Sequence, residues 1–149
     1  MNTDIKLMIT LAGKQRLLHL EDVIFTDNEL AGFYLTALCK DERWDGGLIE
    51  SVHDCAEIAY YCAFYVIKGR WPEAERLIAS DAEHAYYYAT DVIKGRWPEA
   101  ECFLASDAGW ACLYARDVIG GRFPEAERLI TNSAYWQQYY NAFLVELNE

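Results

Sequence analysis

Basic side chains are scarce in this sequence. Its 149 residues include 13 Lys and Arg against 24 Asp and Glu, and the net charge at pH 7 is −11. Nucleic acids and anionic membranes attract basic surfaces, so we expect this acidic chain to bind neither of them directly. The charge is compatible with a protein partner that has a basic surface, but we favour the simpler interpretation that it keeps an aromatic-rich helical chain in solution.

Long apolar runs are missing, and the first residues lack the basic start and apolar stretch of a secretion signal. We therefore expect no membrane segment. The 5 cysteines form an odd set without a C-x-x-C pair, which favours a reducing cytoplasm. Three of them, Cys39, Cys62 and Cys102, fall at positions where a helical repeat can bury a small hydrophobic side chain.

The motifs of catalysis and of metal binding are also missing. His19, His53 and His84 are scattered, and no H-E-x-x-H or Cys/His cluster accompanies them. The sequence has no glycine-rich phosphate loop, and no serine lies in a G-x-S-x-G context. We therefore predict no enzymatic activity, no cofactor and no metal.

What the sequence does contain is a repeated segment, Gly-Arg-Trp-Pro-Glu-Ala-Glu. It occurs unchanged at 69–75 and 95–101, and Phe123 replaces its Trp at 121–127. The copies start 26 residues apart, a period typical of stacked repeats. Glycine can end a helix in the left-handed conformation, and proline suits the first turn of the next helix. The residues for which we predict positive φ are Gly69, Gly95 and Gly121.

Each copy also places two glutamates at the start of a helix, where negative charge is favourable. The pairs are Glu73 and Glu75, Glu99 and Glu101, and Glu125 and Glu127. Paired carboxylates are also typical of acid–base catalytic sites. Their recurrence at successive helix starts favours the structural interpretation.

These patterns predict an all-α fold, a right-handed α-solenoid of stacked helix pairs in one domain, 1–149. Residues 1–26 do not follow the repeat and are interpreted as an atypical N-terminal cap. Helical repeats are expected over 27–132, and a C-terminal capping helix over 133–149. For residues 5–11 a short strand and a helix both remain open. The predicted loops are 69–71, 95–97 and 121–123.

When the 26-residue units are aligned, equivalent positions form columns. These columns are of two kinds. Ala85 and Ala89 recur as Ala111 and Ala115, so we expect these small residues to form the joint between units. Other columns change from unit to unit, which suits an outer face that meets a partner. The partner-binding candidates are Tyr60, Tyr86, Tyr87, Trp110, Arg116, Glu73, Glu99 and Glu125. A solvent-exposed face without a partner explains any single one of them equally well.

The tandem Ile-Lys-Gly-Arg-Trp-Pro-Glu-Ala-Glu, at 67–75 and 93–101, resembles repeats of uncharacterised bacteriophage proteins. The close resemblance covers about residues 56–130. It implies a phage origin and a helical repeat fold, and it carries over no catalytic residue.

Two functions follow as expectations. The first is a non-enzymatic protein-binding module that acts on a host protein in the host cytoplasm, for example as an inhibitor of a defence system (an anti-CRISPR or similar). The second is an acidic decoy that mimics nucleic acid. Duplex DNA offers about one charge per 1.7 Å of axis, whereas two glutamates per stacking step of roughly 10 Å are far sparser. The decoy therefore ranks second, and self-association stays open.

Overall fold

The computed structural model describes residues 2–12, 17–24, 26–27, 30, 33–34, 37 and 56–147, and every regular element within them is helical. The helices are α1 (Asn2–Ala12), a 3₁₀ turn (Leu18–Leu20), α2 (Glu21–Ile24), α3 (Ala56–Tyr61), α4 (Pro72–Ala79), α5 (Ala82–Tyr87), α6 (Pro98–Leu104), α7 (Ala108–Tyr114), α8 (Pro124–Thr131) and α9 (Ala134–Leu147). The all-α prediction is confirmed for these residues, and α1 resolves the choice between strand and helix at 5–11.

Three of the longer helices widen before they end. The α-helical parts of α3, α5 and α7 continue directly as π-helices over Cys62–Ile67, Tyr88–Ile93 and Ala115–Ile119. A π-helix bonds each carbonyl to the N–H five residues on, and long runs of it are rare. Its return at the same place in three units shows that it belongs to the design of the repeat.

The residue with left-handed φ is the one that ends each π-helix. These residues are Lys68 (φ 55°), Lys94 (φ 59°) and Gly120 (φ 64°). The prediction of positive φ at Gly69, Gly95 and Gly121 is therefore wrong by one position. The sequence predicted left-handed φ at the glycines because glycine is the residue best suited to this conformation. The backbone N–H groups of Lys94 and Gly95 both bond to the carbonyl of Ala89, and the bond from Gly95 requires the left-handed conformation at Lys94, one residue before the glycine.

The helix starts follow the sequence closely. Proline opens α4, α6 and α8, as predicted. Asp81 caps α5 by accepting a hydrogen bond from the His84 N–H at 3.0 Å, and Asp107 caps α7 in the same way. The non-helical links at 68–71, 94–97 and 120–123 contain the predicted loops.

Small residues lie at the joint between the longer helices. Ala85, Ala89, Ala111 and Ala115 have no exposed surface, and α5 packs against both α3 and α7. The predicted burial of these alanines is confirmed. Because alanine adds no side chain beyond Cβ, it allows neighbouring helices to approach closely.

Large aromatic side chains fill the space beside the alanines. Tyr88, Trp97, Tyr114 and Phe123 are all at most 1% exposed. The Trp97 indole Nε1 has no hydrogen-bond partner among the described residues. Phe123 replaces this tryptophan in the third copy. The replacement therefore removes an N–H donor that has no partner in the preceding unit.

The cysteine predictions have mixed outcomes. Cys62 is buried as expected, but Cys102 is exposed. Cys102 occupies the column of Arg76 and Arg128, which are also exposed, so its column and not its residue type decides its burial. Cys39 lies outside the described residues.

The last helix differs from its predecessors. α9 is α-helical throughout its 14 residues, and Gln137 and Asn141 are exposed where earlier units bury alanine. The boundaries of the two caps stay predictions. In the part of the chain that the structure describes, no helix is both long and apolar enough to cross a membrane.

Candidate functional site

Beneath each turn lies a set of polar contacts that we call the Arg-Glu-Tyr lock. In the first lock the guanidinium of Arg70 donates to both carboxylate oxygens of Glu75, at 2.7 and 2.8 Å. The Tyr88 hydroxyl donates to Glu75 Oε1 at 2.9 Å and accepts the backbone N–H of Trp71 at 2.7 Å. One carboxylate and one phenol thus tie the turn, α4 and α5 together.

The same lock closes the next two units. Its members there are Arg96, Trp97, Glu101 and Tyr114, and then Arg122, Phe123, Glu127 and Tyr140. In all three locks the bond from the turn N–H to the tyrosine oxygen measures 2.7 Å. The second glutamate of each repeated pair therefore has an arginine and a tyrosine as structural partners, which the sequence interpretation did not foresee.

The electrostatics of the lock match this role. The hydrogen bonds from Arg96 hold the pKa of Glu101 below its ordinary value of 4.5. Burial raises the pKa of Tyr114 to about 12. At neutral pH the carboxylate is therefore ionised and the phenol is protonated, which is the arrangement that both hydrogen bonds need.

The glutamate–tyrosine part of the lock also occurs near the N-terminus, and it was not foreseen. The backbone N–H of Leu17 donates to the Tyr34 hydroxyl at 2.7 Å, and this hydroxyl donates to Glu21 Oε1 at 2.7 Å. The spacing from turn residue to glutamate to tyrosine is the same as in Trp71, Glu75 and Tyr88. The repeat's hydrogen-bond pattern therefore begins before residue 27.

A half-open cavity lies between α3 and α5 with its π-helical continuation, and we call it the aromatic groove. Its volume is about 430 Å³. Its aromatic walls are Tyr60, Tyr61, Phe64, Tyr65 and Tyr87. The ring of Tyr60 lies 6.0 Å from the rings of both Phe64 and Tyr87, so the walls form one continuous aromatic surface.

The polar residues of the aromatic groove are Glu57, Glu83, His84 and Asp91. The Tyr60 hydroxyl donates to Asp91 Oδ2 at 2.7 Å, and Thr90 Oγ1 donates to Asp91 Oδ1 at 3.1 Å. Burial, together with the bond to Asp91, raises the pKa of Tyr60. No lysine or arginine occurs among the described residues that line the groove.

The structure brings four of the predicted site residues together. Tyr60 and Tyr87 line the aromatic groove, and only 8% of Tyr60 is exposed. Tyr86 and Trp110 continue the aromatic surface toward α7, because the Trp110 ring lies 5.4 Å from Tyr86 and 5.7 Å from Tyr87. Tyr86 also donates to Asp117 Oδ2 at 2.7 Å.

The other predicted residues lie apart from the groove. Arg116 donates through Nε and Nη2 to the two oxygens of Asp117, at 2.6 and 2.7 Å, and its guanidinium lies 5.5 Å from the centre of the Tyr139 ring. The remaining three, Glu73, Glu99 and Glu125, are exposed in the first turns of α4, α6 and α8 and do not line the groove.

Sequence reasoning placed only Tyr60 and Tyr87, of the nine groove residues, among the candidates. Glu57, Phe64 and Tyr65 were not among the candidates, and neither were Glu83 and Asp91. A helical-face count would have grouped the first three with Tyr60 and Tyr61, since they recur at intervals of three and four residues along one face of α3 and its π-helical continuation. The contribution of α5 to the same cavity depends on packing.

The described residues also bear on whether the chain offers a metal site or a reactive thiol. Within the described residues, no group of three or more His, Cys, Asp or Glu side chains is placed to hold a metal ion. Burial raises the pKa of the Cys112 thiol to about 11, which keeps it protonated at neutral pH.

No protein-family model, curated protein or solved structure matches this chain.

Proposed function

We propose that this protein is a short right-handed α-solenoid that binds another protein through the face carrying the aromatic groove. It acts by occupying its partner's surface and catalyses no reaction. In line with the phage-like repeats, the proposed partner is a host protein in the host cytoplasm, and the proposed effect is inhibition of a defence system such as CRISPR.

The solenoid arrangement is supported by contacts that recur with the repeat. α4 packs against α6, and α5 packs against both α3 and α7, so equivalent helices of consecutive units are neighbours. Each unit also closes with its own Arg-Glu-Tyr lock. A helix of 8 residues such as α4 is too short to be stable alone in water, and stacking supplies the missing stability.

The observation that carries the binding function is the aromatic groove. Tyrosine, phenylalanine and tryptophan are enriched at protein interfaces, where they supply a large contact area at a small entropic cost. Here tyrosine, phenylalanine and carboxylate side chains converge on one cavity. One groove column varies at every step, from Phe64 to Thr90 to Arg116, whereas the arginine, glutamate and tyrosine of the lock do not vary.

The acidic decoy remains the second candidate. Arginines pair with the glutamates of the three locks, at Arg70, Arg96 and Arg122. This leaves Glu73, Glu99 and Glu125 as one exposed carboxylate per repeat at the helix starts. Duplex DNA presents about one charge per 1.7 Å of axis, so the match in charge density is poor.

The test is capture of a partner from a bacterial lysate by the tagged protein at low and high salt. Two variants are compared with the wild type. Phe64→Ala removes a groove ring that is 38% exposed, and Phe103→Ala removes a ring on α6 that is 40% exposed but lies outside the groove. The two substitutions are matched in chemistry and in exposure.

We expect the wild type and Phe103→Ala to retain the same protein at high salt, and Phe64→Ala to lose it. Equal retention by all three proteins would place binding elsewhere and refute the proposal. A salt-labile set of nucleic-acid-binding proteins would favour the decoy, because such binding weakens steeply with salt.

A further inference from the structure

The aromatic groove has the chemistry of a cation site. Its ring faces carry partial negative charge, which attracts a cation placed within about 6 Å of a ring centre. Three carboxylates, Glu57, Glu83 and Asp91, lie in the same cavity. Rings and carboxylates thus favour the same sign of charge, and the described lining residues supply no lysine or arginine to meet it.

The next repeat shows which cation fits this setting. Asp117 occupies the column of Asp91, 26 residues on, and Tyr86 occupies the column of Tyr60. Tyr86 donates to Asp117 at 2.7 Å, as Tyr60 donates to Asp91 at 2.7 Å. The phenol–carboxylate pair is therefore the same in both units.

The two units differ at the position just before the aspartate. Arg116 places two guanidinium N–H groups on Asp117 and lies over the Tyr139 ring at 5.5 Å. The corresponding residue of the earlier unit is Thr90, which gives Asp91 only one bond, at 3.1 Å. A carboxylate in this column can thus hold a guanidinium while it accepts a tyrosine hydroxyl, and Asp91 lacks one from its own chain at the equivalent position.

We propose that the aromatic groove binds an arginine side chain of the partner, with the guanidinium on Asp91 and against the tyrosine rings. This inference rests on the proposed protein-binding function and names the group that the groove recognises. Arginine suits the site better than lysine because its planar head stacks on aromatic rings and pairs with a carboxylate through two bonds. The acidic rim formed by Glu57 and Glu83 adds long-range attraction for a basic partner.

The first test uses three acetylated and amidated tripeptides, Gly-Arg-Gly, Gly-citrulline-Gly and Gly-Lys-Gly, titrated into the full chain at low salt. Citrulline has nearly the shape of arginine but no charge. Binding is followed by NMR signals of the groove residues. We expect a dissociation constant on the order of 1 mM for the arginine peptide, and binding weaker by about tenfold or more for the citrulline peptide.

Two matched variants locate the site. Glu83→Gln removes one charge at the groove, and Glu99→Gln removes one charge from an exposed residue on α6. We expect the first to weaken arginine-peptide binding by about threefold or more, and the second to leave it unchanged. Thr90→Arg copies Arg116 into the earlier unit and gives Asp91 a guanidinium from its own chain, so it should abolish binding while the thermal unfolding curve shows an intact fold.

The outcomes separate this inference from the proposed function. Equal binding of the arginine and citrulline peptides, or of the arginine and lysine peptides, overturns the assignment to arginine, as does a set of shifted signals outside the groove. In that case the difference in capture between Phe64→Ala and Phe103→Ala still decides the protein-binding function. Arginine-peptide binding without any captured protein would instead support the site and refute the function.

Discussion

The Arg-Glu-Tyr lock and the aromatic groove are built on the same helices but treat the repeat in opposite ways. Each described lock of the 26-residue repeats has an arginine, a glutamate and a tyrosine, with a 2.7 Å bond from the turn to the phenol. The groove columns are less constant. One of them reads Phe64, Thr90 and Arg116, and its neighbour reads Tyr65, Asp91 and Asp117.

This difference separates the requirements of folding from those of binding. The lock buries a phenol and the backbone N–H of the turn, which is tolerable only when each has its hydrogen-bond partner, while the arginine side chains stay 52% to 68% exposed. The side chains of the groove are partly exposed, so each of them needs only to be compatible with a helix. The groove columns can therefore vary more freely than the arginine, glutamate and tyrosine of the lock.

The largest expected effect is acid unfolding, because all three locks change together. The pKa values of Glu75, Glu101 and Glu127 are lowered by their arginine partners. Groups with lowered folded-state pKa stabilise the fold above their ordinary pKa of 4.5, and this stabilisation is lost as the pH falls through the folded-state value. The unfolding temperature should therefore drop steeply below about pH 4.5.

A variant isolates the contribution of one lock to this pH dependence. Glu101→Gln should flatten the fall in unfolding temperature between pH 5 and pH 3, since its side chain does not titrate. The exposed Glu99→Gln should leave the slope as it is. Identical slopes for the two variants would show that the locks do not control acid stability.

The second prediction concerns the alanine joint. Ala115→Leu should destabilise the fold by about 3 kcal/mol, because a fully buried position has no room for three added carbons. Asn141→Leu introduces the same leucine at the equivalent position of α9, where the side chain is exposed. This variant should change the free energy of unfolding by about 0.5 kcal/mol or less. Denaturant unfolding of both variants measures the difference; a mild effect at 115 would mean that the joint is loosely packed.

The third prediction compares one phenol of a lock with one beside the groove. Tyr114→Phe leaves the buried N–H of Trp97 without its acceptor, which should cost about 2 kcal/mol. Tyr86→Phe removes a hydroxyl that bonds the exposed Asp117, and the expected cost is about 0.5 kcal/mol. Urea titrations decide between them, and equal costs would contradict the division between lock and groove.

The smallest effect is expected at the helix end. Lys94→Gly should stabilise the fold by about 1 kcal/mol, because φ of 59° is unfavourable for a residue with a side chain. Gly120 already occupies the equivalent position in the next unit. Gly95→Ala should be nearly neutral, since no atom lies within 4 Å of the added Cβ. Destabilisation by Lys94→Gly would show that the lysine side chain makes an important contact.

Much of the helical order was predictable because it depends on local rules. The prolines at helix starts, the aspartate caps and the buried alanines all follow from spacing along one chain segment. The left-handed position at Lys94 did not, because it depends on the π-helical turn before it. The early lock at Leu17, Glu21 and Tyr34 was missed because only its spacing, and no continuous motif, is repeated.

The groove was harder to predict from the sequence than the helices. Tyr60 and Tyr87 could be proposed from their variable columns, but the cavity exists only because α3 packs against α5. The sequence does not show directly that Asp91 meets Tyr60 across 31 residues. Column comparison therefore finds the face of the molecule, and packing is needed to find the site.

The central claim is that locks stabilise the fold and the groove binds the partner. It is tested most directly by measuring both the free energy of unfolding and the affinity for the captured partner in Tyr114→Phe and Phe64→Ala. We expect Tyr114→Phe to lose about 2 kcal/mol of stability and to keep its affinity at temperatures where it is fully folded. Phe64→Ala should lose less than about 1 kcal/mol and at least about tenfold in affinity. Loss of affinity in a fully folded Tyr114→Phe, or an unchanged affinity in Phe64→Ala, would contradict the account.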